Sequence, residues 1–195
     1  MNYSKIRKLK DKLYFSIENI ENYLNVKKSS ARMFCSRYVK NGLFIRLKNN
    51  FYTLRENWEK ITQEELFLIT NSIQVPSYIS FMSALCYYDI STQVQRNYIE
   101  SAVLKRSKTY EIENTVFNYY KLKNNLYFGF QKLNGFFIAT KEKAFFDSVY
   151  LYSLGRYKFD VSSLDLDKLD RKKIKNMLKY FPEKTKNIVV KLCRI

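Results

Sequence analysis

The chain has 195 residues, 46% of them hydrophobic and 17% aromatic, with 4 Gly, 2 Pro, 3 Cys, no His and a formal net charge of +17. That is enough apolar material for one ordinary domain, or for a small domain plus a medium one, and it excludes a disordered or low-complexity chain. Without His there is no imidazole general base, no Ser-His-Asp triad and little basis for zinc; without a Gly-rich loop there is no P-loop or dinucleotide fingerprint.

Cys35, Cys86 and Cys193 are odd in number and far apart, which fits neither a zinc knuckle nor a disulfide framework. No apolar run approaches the roughly 18–20 residues that span a bilayer. The start "MNYSKIRKLKDKLYF" lacks the uninterrupted apolar stretch of a signal peptide, so a cytoplasmic location with no membrane partner is expected. The charge is unevenly placed. Residues 1–60 carry 14 basic and 5 acidic side chains, residues 61–167 carry 11 of each, and residues 168–195 carry 10 and 2. A compositional bias would spread the excess, whereas concentration at the ends points to a polyanion-binding surface at the N-terminal end.

In chain order, Ile6, Leu9 and Leu13 lie at helical spacing and predict a first basic helix within residues 3–15. Ser16 reads as the N-cap of a second helix that shares Ile17, Ile20 and Leu24 on one face. Ser29 or Ser30 is expected to cap a third, with Ala31, Phe34, Cys35 and Tyr38 inward and Arg32, Met33, Ser36, Arg37 and Lys40 outward. Gly42 stands where a left-handed stop residue is wanted. "LFIRL" and "FYTL" then read as two strands around Lys48-Asn49-Asn50, and Asn tolerates a positive φ better than any other non-Gly residue. Three short helices and a hairpin spell a winged helix-turn-helix, in which the third helix enters the major groove and the wing lies along the backbone.

Beyond Leu54 the composition becomes acidic to neutral. A connecting helix is expected with Ile61, Leu66 and Ile69 inward, then, after Pro76, a short helix in "SYISFMSALCYYDI" lined by Phe81, Ala84, Leu85 and Tyr88. Strands are predicted over 98–105, 116–122, 126–130 and 136–140, with Asn124-Asn125 and Asn134-Gly135 as turns. Thr140 caps a helix over "KEKAFFDSVYLYSL", with Glu142 at its positive end and Gly155 just past it. Two basic amphipathic helices follow, with Leu169, Ile174, Met177, Leu178, Phe181, Ile188, Val189 and Leu192 as apolar stripes. The fold class expected is α+β: a winged helix-turn-helix over residues 1–60, then a C-terminal domain over 61–195. That domain is expected to hold a small, mostly antiparallel sheet with helices and to end in a basic helical tail over 168–195.

Two separated stretches carry a family resemblance. Pro76, Ser77, Tyr78, Ser80, Ala84 and Leu85 match a "P-S-Y-[IV]-S…S/T-A-L" helix, and Ile138, Ala139, Thr140, Glu142, Lys143, Ala144 and Asp147 match an "I-A-T/S-P-E-K-A-L-x-D" junction. With the wing "GLFIRLKNNFYTL", similar to "G-L-I-x-R-x-x-x-G-x-Y", the chain resembles the AbiEi-type antitoxins over most of residues 1–155. Lys141 stands where proline is common, and Asn50 replaces the wing glycine. The resemblance implies binding to operator DNA, with repeats as the expected targets, autorepression of the operon, and neutralisation by the C-terminal domain of an AbiEii-like nucleotidyltransferase toxin in abortive phage infection. It leaves open whether the toxin is opposed directly or indirectly.

The DNA-binding candidates are Lys27, Lys28, Ser29 and Ser30 at the start of the third helix, where a polarised helix end suits phosphate. Arg32 and Arg37 are placed for base readout, since Arg grips guanine with two parallel bonds, and Ser36 and Lys40 share their face. Arg46, Lys48, Asn49 and Asn50 on the wing suit phosphate or minor-groove contacts. No catalytic residue, metal or cofactor is expected. Asp165, Asp167 and Asp170 in "SLDLDKLD" form a weak metal-carboxylate pattern of the kind a nuclease uses, set against helix capping as the reading preferred. Glu142 and Asp147 read as helix-start chemistry and a structural polar contact. A nucleotidyltransferase would need a Gly-Ser turn before an Asp-x-Asp strand, and Gly-Ser is absent. The alternatives are a winged-helix repressor with no toxin partner and a DNA-targeted defence nuclease.

Overall fold

The structure is a computed structural model and describes residues 9–93 and 95–195. It is α+β and divides into two compact units, the first ending at Ile69 and the second beginning at Thr70. Composition places the boundary at residue 60; the division falls inside a helix instead.

The helix expected within residues 3–15 begins, with Ile6, outside the described residues. From Leu9 onward the chain makes a tight turn, closed by Lys12 N–H donating to the Leu9 carbonyl at 3.0 Å. Helix α1 (Ile17–Leu24) starts at Ser16 as expected. The Ser16 hydroxyl accepts the Asn19 N–H, and the Asn19 side chain accepts the Ser16 N–H at 3.0 Å, a reciprocal cap. Ile17 and Ile20 face the core, and Asn25 at φ 50° ends the helix. Three residues later α2 (Lys28–Lys40) begins. Its N-cap is Lys27, with no side-chain cap, so Ser29 and Ser30 lie in the first turn rather than before it. Ser16 could be recognised because an apolar period starts directly after it; the Lys-Lys-Ser-Ser run offers no such edge.

Ala31, Cys35 and Tyr38 of α2 are buried, and Phe34 stacks on Tyr38 with ring centroids 4.1 Å apart. Gly42, at φ 73°, donates to the Val39 carbonyl at 3.0 Å while Leu43 donates to Tyr38 at 2.9 Å. Those two bonds satisfy carbonyls that the helix end would otherwise leave unpaired, and the second needs a left-handed residue at position 42. The chain then enters β1 (Phe44–Lys48), which pairs antiparallel with β2 (Phe51–Leu54) across a two-residue turn, Asn49-Asn50. Asn50 sits at φ 60°. Phe15 exchanges two backbone bonds with Tyr52, at 2.8 and 2.9 Å, so the segment before α1 lines the outer edge of the hairpin. Phe15, Tyr38 and Phe44 close the core, Phe44 meeting the other two rings at 4.9 and 5.0 Å.

The single connecting helix expected after Leu54 is two helices, α3 (Arg55–Trp58) and α4 (Gln63–Ile73). Thr62 and Glu65 explain the break: the Thr62 N–H donates to the Glu65 carboxylate at 2.8 Å, and Glu65 N–H to the Thr62 hydroxyl at 3.3 Å. This Thr-x-x-Glu cap starts a new helix within one apolar period.

The second unit is built on a six-stranded sheet in the order β5-β6-β4-β3-β8-β7. Its strands are β3 (Ser77–Ile79), β4 (Tyr98–Val103), β5 (Lys108–Ile112), β6 (Thr115–Lys121), β7 (Phe130–Leu133) and β8 (Phe136–Ala139). The sheet is mixed: β3 runs parallel to β8 and β4 parallel to β6, while the other neighbours are antiparallel. Three of the five neighbour pairs are antiparallel, in keeping with the mostly antiparallel sheet expected from hairpin turns; the two parallel pairs arise because β3 and β4 lie in the centre, between the β5–β6 and β7–β8 hairpins. β3 is a three-residue strand buried along its length, continuous with the apolar run of the helix that follows, so periodicity cannot separate them. β5 is a largely exposed edge strand whose apolar signal is weak. The strand expected at 126–130 is a 3₁₀ turn at Asn124–Leu126 and an irregular link, with β7 starting at Phe130. Asn134 and Gly135, at φ 47° and 93°, make the tight β7–β8 turn as expected.

Against this sheet lie α5 (Phe81–Tyr87) and α6 (Lys141–Ser153), followed by α7 (Arg171–Leu178) and α8 (Glu183–Cys193). Thr140 caps α6 by accepting the Lys143 N–H at 3.3 Å. Residues 142–151 of α6 are all buried, as in a helix enclosed on every side. Leu169, Ile174, Phe181 and Val189 of the basic tail point inward, and its Lys residues cover the outside.

Candidate nucleic-acid interface

The cationic candidates fall into two groups that differ in how firmly they are held. Lys27, Ser29, Ser30, Arg32, Ser36, Arg37 and Lys40 are all exposed along one face of α2, together with Met33, which is 74% exposed. Ala31, Cys35 and Tyr38 anchor the opposite face, so the period that builds the core also fixes which side chains face outward. Among the described residues, neither Arg32 nor Arg37 forms a side-chain hydrogen bond or ion pair. The first turn of α2 contains no acid, so its N–H groups and their positive end are not offset from within the helix.

The second group is tied to the fold. Lys28 Nζ pairs with Glu18 Oε1 at 2.7 Å. The other Glu18 oxygen accepts from Asn50 Nδ2 at 2.8 Å, and Asn50 Oδ1 accepts the Ile17 N–H at 2.8 Å. The bonds from Lys28 and Asn50 hold the Glu18 carboxyl down at about 2, and the same contact raises Lys28. Solvent screens the exposed pair, so its effect is to orient Lys28 more than to stabilise the unit. Arg46 bonds to its own turn, donating to Asn49 Oδ1 at 3.1 Å, and Lys48 Nζ lies over the Phe51 ring at 5.2 Å, where burial lowers its pKa. Asn50, expected to reach DNA from the wing, instead has both ends of its amide engaged within the protein. It is a clamp between turn and helix. The sequence signals its φ but not its partners, which lie 32 and 33 residues away.

Tyr52 is a buried residue of β2. Burial raises the pKa of its hydroxyl, and the charges of Arg46 and Arg32 both oppose that rise. One arginine comes from β1 and the other from α2.

In the second unit the two motifs that carry the resemblance converge. Tyr78 and Ser80, from the Pro-Ser-Tyr stretch, donate to Asp147 Oδ2 at 3.0 and 2.8 Å, and Lys143 pairs with Asp147 one turn away on α6. Lys143 and Asp147 are both 0% exposed, and Lys143 Nζ also donates to the Tyr78 hydroxyl at 2.9 Å. Burial pushes Lys143 down and Asp147 up, while each attracts the other back towards its charged form. Every polar end is satisfied within this cluster and none reaches solvent. Asp147 makes the structural polar contact expected of it. Glu142 is buried as well, and its carboxylate accepts the Asp170 N–H at 3.1 Å, a role beyond the helix-start one read from sequence.

Glu100 is a buried acid that no sequence signal singles out. Its Oε2 accepts from the Tyr157 hydroxyl at 2.8 Å and the Met82 N–H at 3.1 Å. Burial raises it to about 7, with the Tyr157 bond pulling the other way.

The aspartates of the tail are spread over separate tasks. Asp170 caps α7 by accepting Lys172 and Lys173 N–H groups, Asp165 lies 3.6 Å from Lys168, and Asp167 lies 3.8 Å from Arg171. Among the described residues, no group of three or more His, Cys, Asp or Glu side chains is placed to hold a metal ion. No helix among them is long and apolar enough to cross a membrane. No family model and no curated protein matches the chain.

Proposed function

We propose that the chain is a DNA-binding antitoxin of the AbiEi type, which represses its own operon and counteracts a nucleotidyltransferase toxin without acting as an enzyme. The observation that carries the DNA-binding part is the exposed outward face of α2, on which neither Arg32 nor Arg37 forms a side-chain hydrogen bond or ion pair among the described residues. Two helices joined by three residues and followed by a hairpin are the parts of a winged helix-turn-helix, with α2 as the groove-reading helix and β1–β2 as the wing. In this reading Arg32 and Arg37 read bases; Lys27, Ser29, Ser30 and Lys40 hold phosphates; and Arg46 and Asn49 follow the backbone. Lys28 and Asn50 set the angle between wing and helix through Glu18.

The antitoxin part rests on the sequence resemblance. It is supported by the way Tyr78, Ser80, Lys143 and Asp147 bring the two matching stretches into one buried cluster. The test has two arms. Gel shifts with the DNA upstream of the chain's own coding region should show a discrete complex that random DNA of equal length does not compete away. Co-expression with a nucleotidyltransferase encoded beside it should restore growth. A failed shift removes the repressor role; failed rescue with an intact shift leaves a repressor without a toxin partner.

A further inference from the structure

The second unit contains a cavity of about 840 Å³ that the DNA-binding reading does not use. Its volume falls within the range of about 300–1,000 Å³ typical of small-molecule sites. The walls are apolar and come from two directions: Tyr120 and Leu122 at the end of β6, and Tyr150 and Leu154 in the last turns of α6. Pro182, ahead of α8, closes one side. Leu154 is 44% exposed and presents its apolar side chain at the mouth.

The rim is charged in one sign only. Lys121, Lys123 and Arg156 line the cavity, no Asp or Glu does, and among the described residues none of the three cations forms an ion pair. Arg156 lies close enough to Tyr150 for its charge to oppose the burial-driven rise of the phenol. Ser107 accepts the Lys121 N–H at 2.9 Å, which leaves its own hydroxyl proton available to a guest. Unpaired cations around an apolar hollow repel one another and focus a positive potential into it, and a bound anion would remove that cost.

We propose that this cavity binds a small organic anion with an apolar body, of the aryl or alkyl carboxylate or phosphate monoester class. The ring or chain lies between Tyr120, Tyr150 and Leu154, and the anionic head meets Lys123 and Arg156. A concave site of this volume suits a free small molecule better than the flat, extended contact of a protein partner. The inference goes beyond DNA binding and does not rest on it.

The probe is 8-anilinonaphthalene-1-sulfonate, an aromatic body with one anionic group, titrated against the full folded chain. One saturable site per chain is expected, displaced by phenyl phosphate. The uncharged N-phenyl-1-naphthylamine should bind at least tenfold more weakly. Lys123→Ala with Arg156→Ala should weaken the probe at least tenfold, and so should Leu154→Glu, whose site is exposed enough to tolerate the change. Lys172→Ala with Lys173→Ala, on the outer face of α7, should leave binding unchanged; circular dichroism checks that every variant is folded. Binding that is non-saturable, indifferent to the Lys123/Arg156 change, or lost in the α7 variant would overturn the proposal. So would saturable binding of an acidic aromatic peptide that the small anions fail to displace, which would assign the cavity to a protein partner.

Discussion

Asn50 and Glu18, 32 residues apart, are joined by a 2.8 Å hydrogen bond that links the hairpin turn to the first turn of α1. The same Asn50 amide accepts the Ile17 N–H, and the same Glu18 carboxylate holds Lys28 at the start of α2. A single side chain therefore ties the hairpin to α1 directly and to α2 through Glu18, while its own backbone occupies the left-handed region that the turn requires.

Asn50→Val should be destabilising on two counts. A β-branched residue at φ 60° costs about 1–2 kcal/mol, and two hydrogen bonds are lost with the amide, so a total near 2–3 kcal/mol is expected. Asn50→Gly separates the two, since it removes only the side-chain bonds and should cost less. Urea denaturation of the parent chain and the two variants checks the order; an Asn50→Val variant as stable as the parent would refute the clamp.

DNA binding should depend on the unpaired arginines of α2 more than on the wing. Arg32→Ala with Arg37→Ala should lower operator affinity at least a hundredfold with little change in melting temperature, because both side chains are exposed. Arg46→Ala should reduce affinity less and flatten the plot of log affinity against log salt, the slope of which counts phosphates neutralised. A gel shift at several salt concentrations measures both. An unchanged affinity in the double variant would remove α2 from the interface.

The buried pair on α6 predicts a non-additive response to mutation. Asp147→Ala leaves Lys143 charged and unpaired in the core, and Lys143→Met leaves Asp147 in the same position; each should cost about 3–5 kcal/mol. Changing both, as Lys143→Met with Asp147→Leu, should cost less than the sum, though Tyr78 and Ser80 then lose an acceptor. Chemical denaturation of the single and double variants closes the cycle, and strict additivity would contradict the pairing.

Glu100 makes stability fall with rising pH over a defined window. Its carboxyl has an ordinary value of 4.5 and is raised to about 7 in the folded chain, so between those values the folded state binds the extra proton. The contribution is therefore complete below about pH 4.5 and is lost as pH rises through about 7, to a total of about 3 kcal/mol. Glu100→Gln keeps an acceptor for Tyr157 and should flatten the stability profile across that range. Denaturation midpoints at intervals from pH 4.5 to 8 give the comparison, and identical slopes would place the effect elsewhere.

What the sequence determined by itself was local in character. The Ser16 cap, the inward stripe of α2, the Gly42 stop, the positive φ of Asn50, the Asn134-Gly135 turn and the Thr140 cap each depend on residues within a few positions of one another, and each is present. Charge segregation likewise marked α2 as the outward basic element. The tertiary structure decided whatever depends on distant partners. Asn50 reads as a contact residue until Glu18 and Ile17 occupy both ends of its amide. The strand Ser77–Ile79 is indistinguishable from the helix after it until β4 and β8 supply its hydrogen bonds on either side. Glu100 is an ordinary acid in sequence and a proton-binding one only because the folded chain buries it, against the pull of the hydrogen bonds from Tyr157, Met82 and Tyr120. The physical reason is common to all three: propensity and periodicity act over a helical turn or a strand pair, whereas burial and hydrogen-bond satisfaction are settled by whichever groups the folded chain brings alongside.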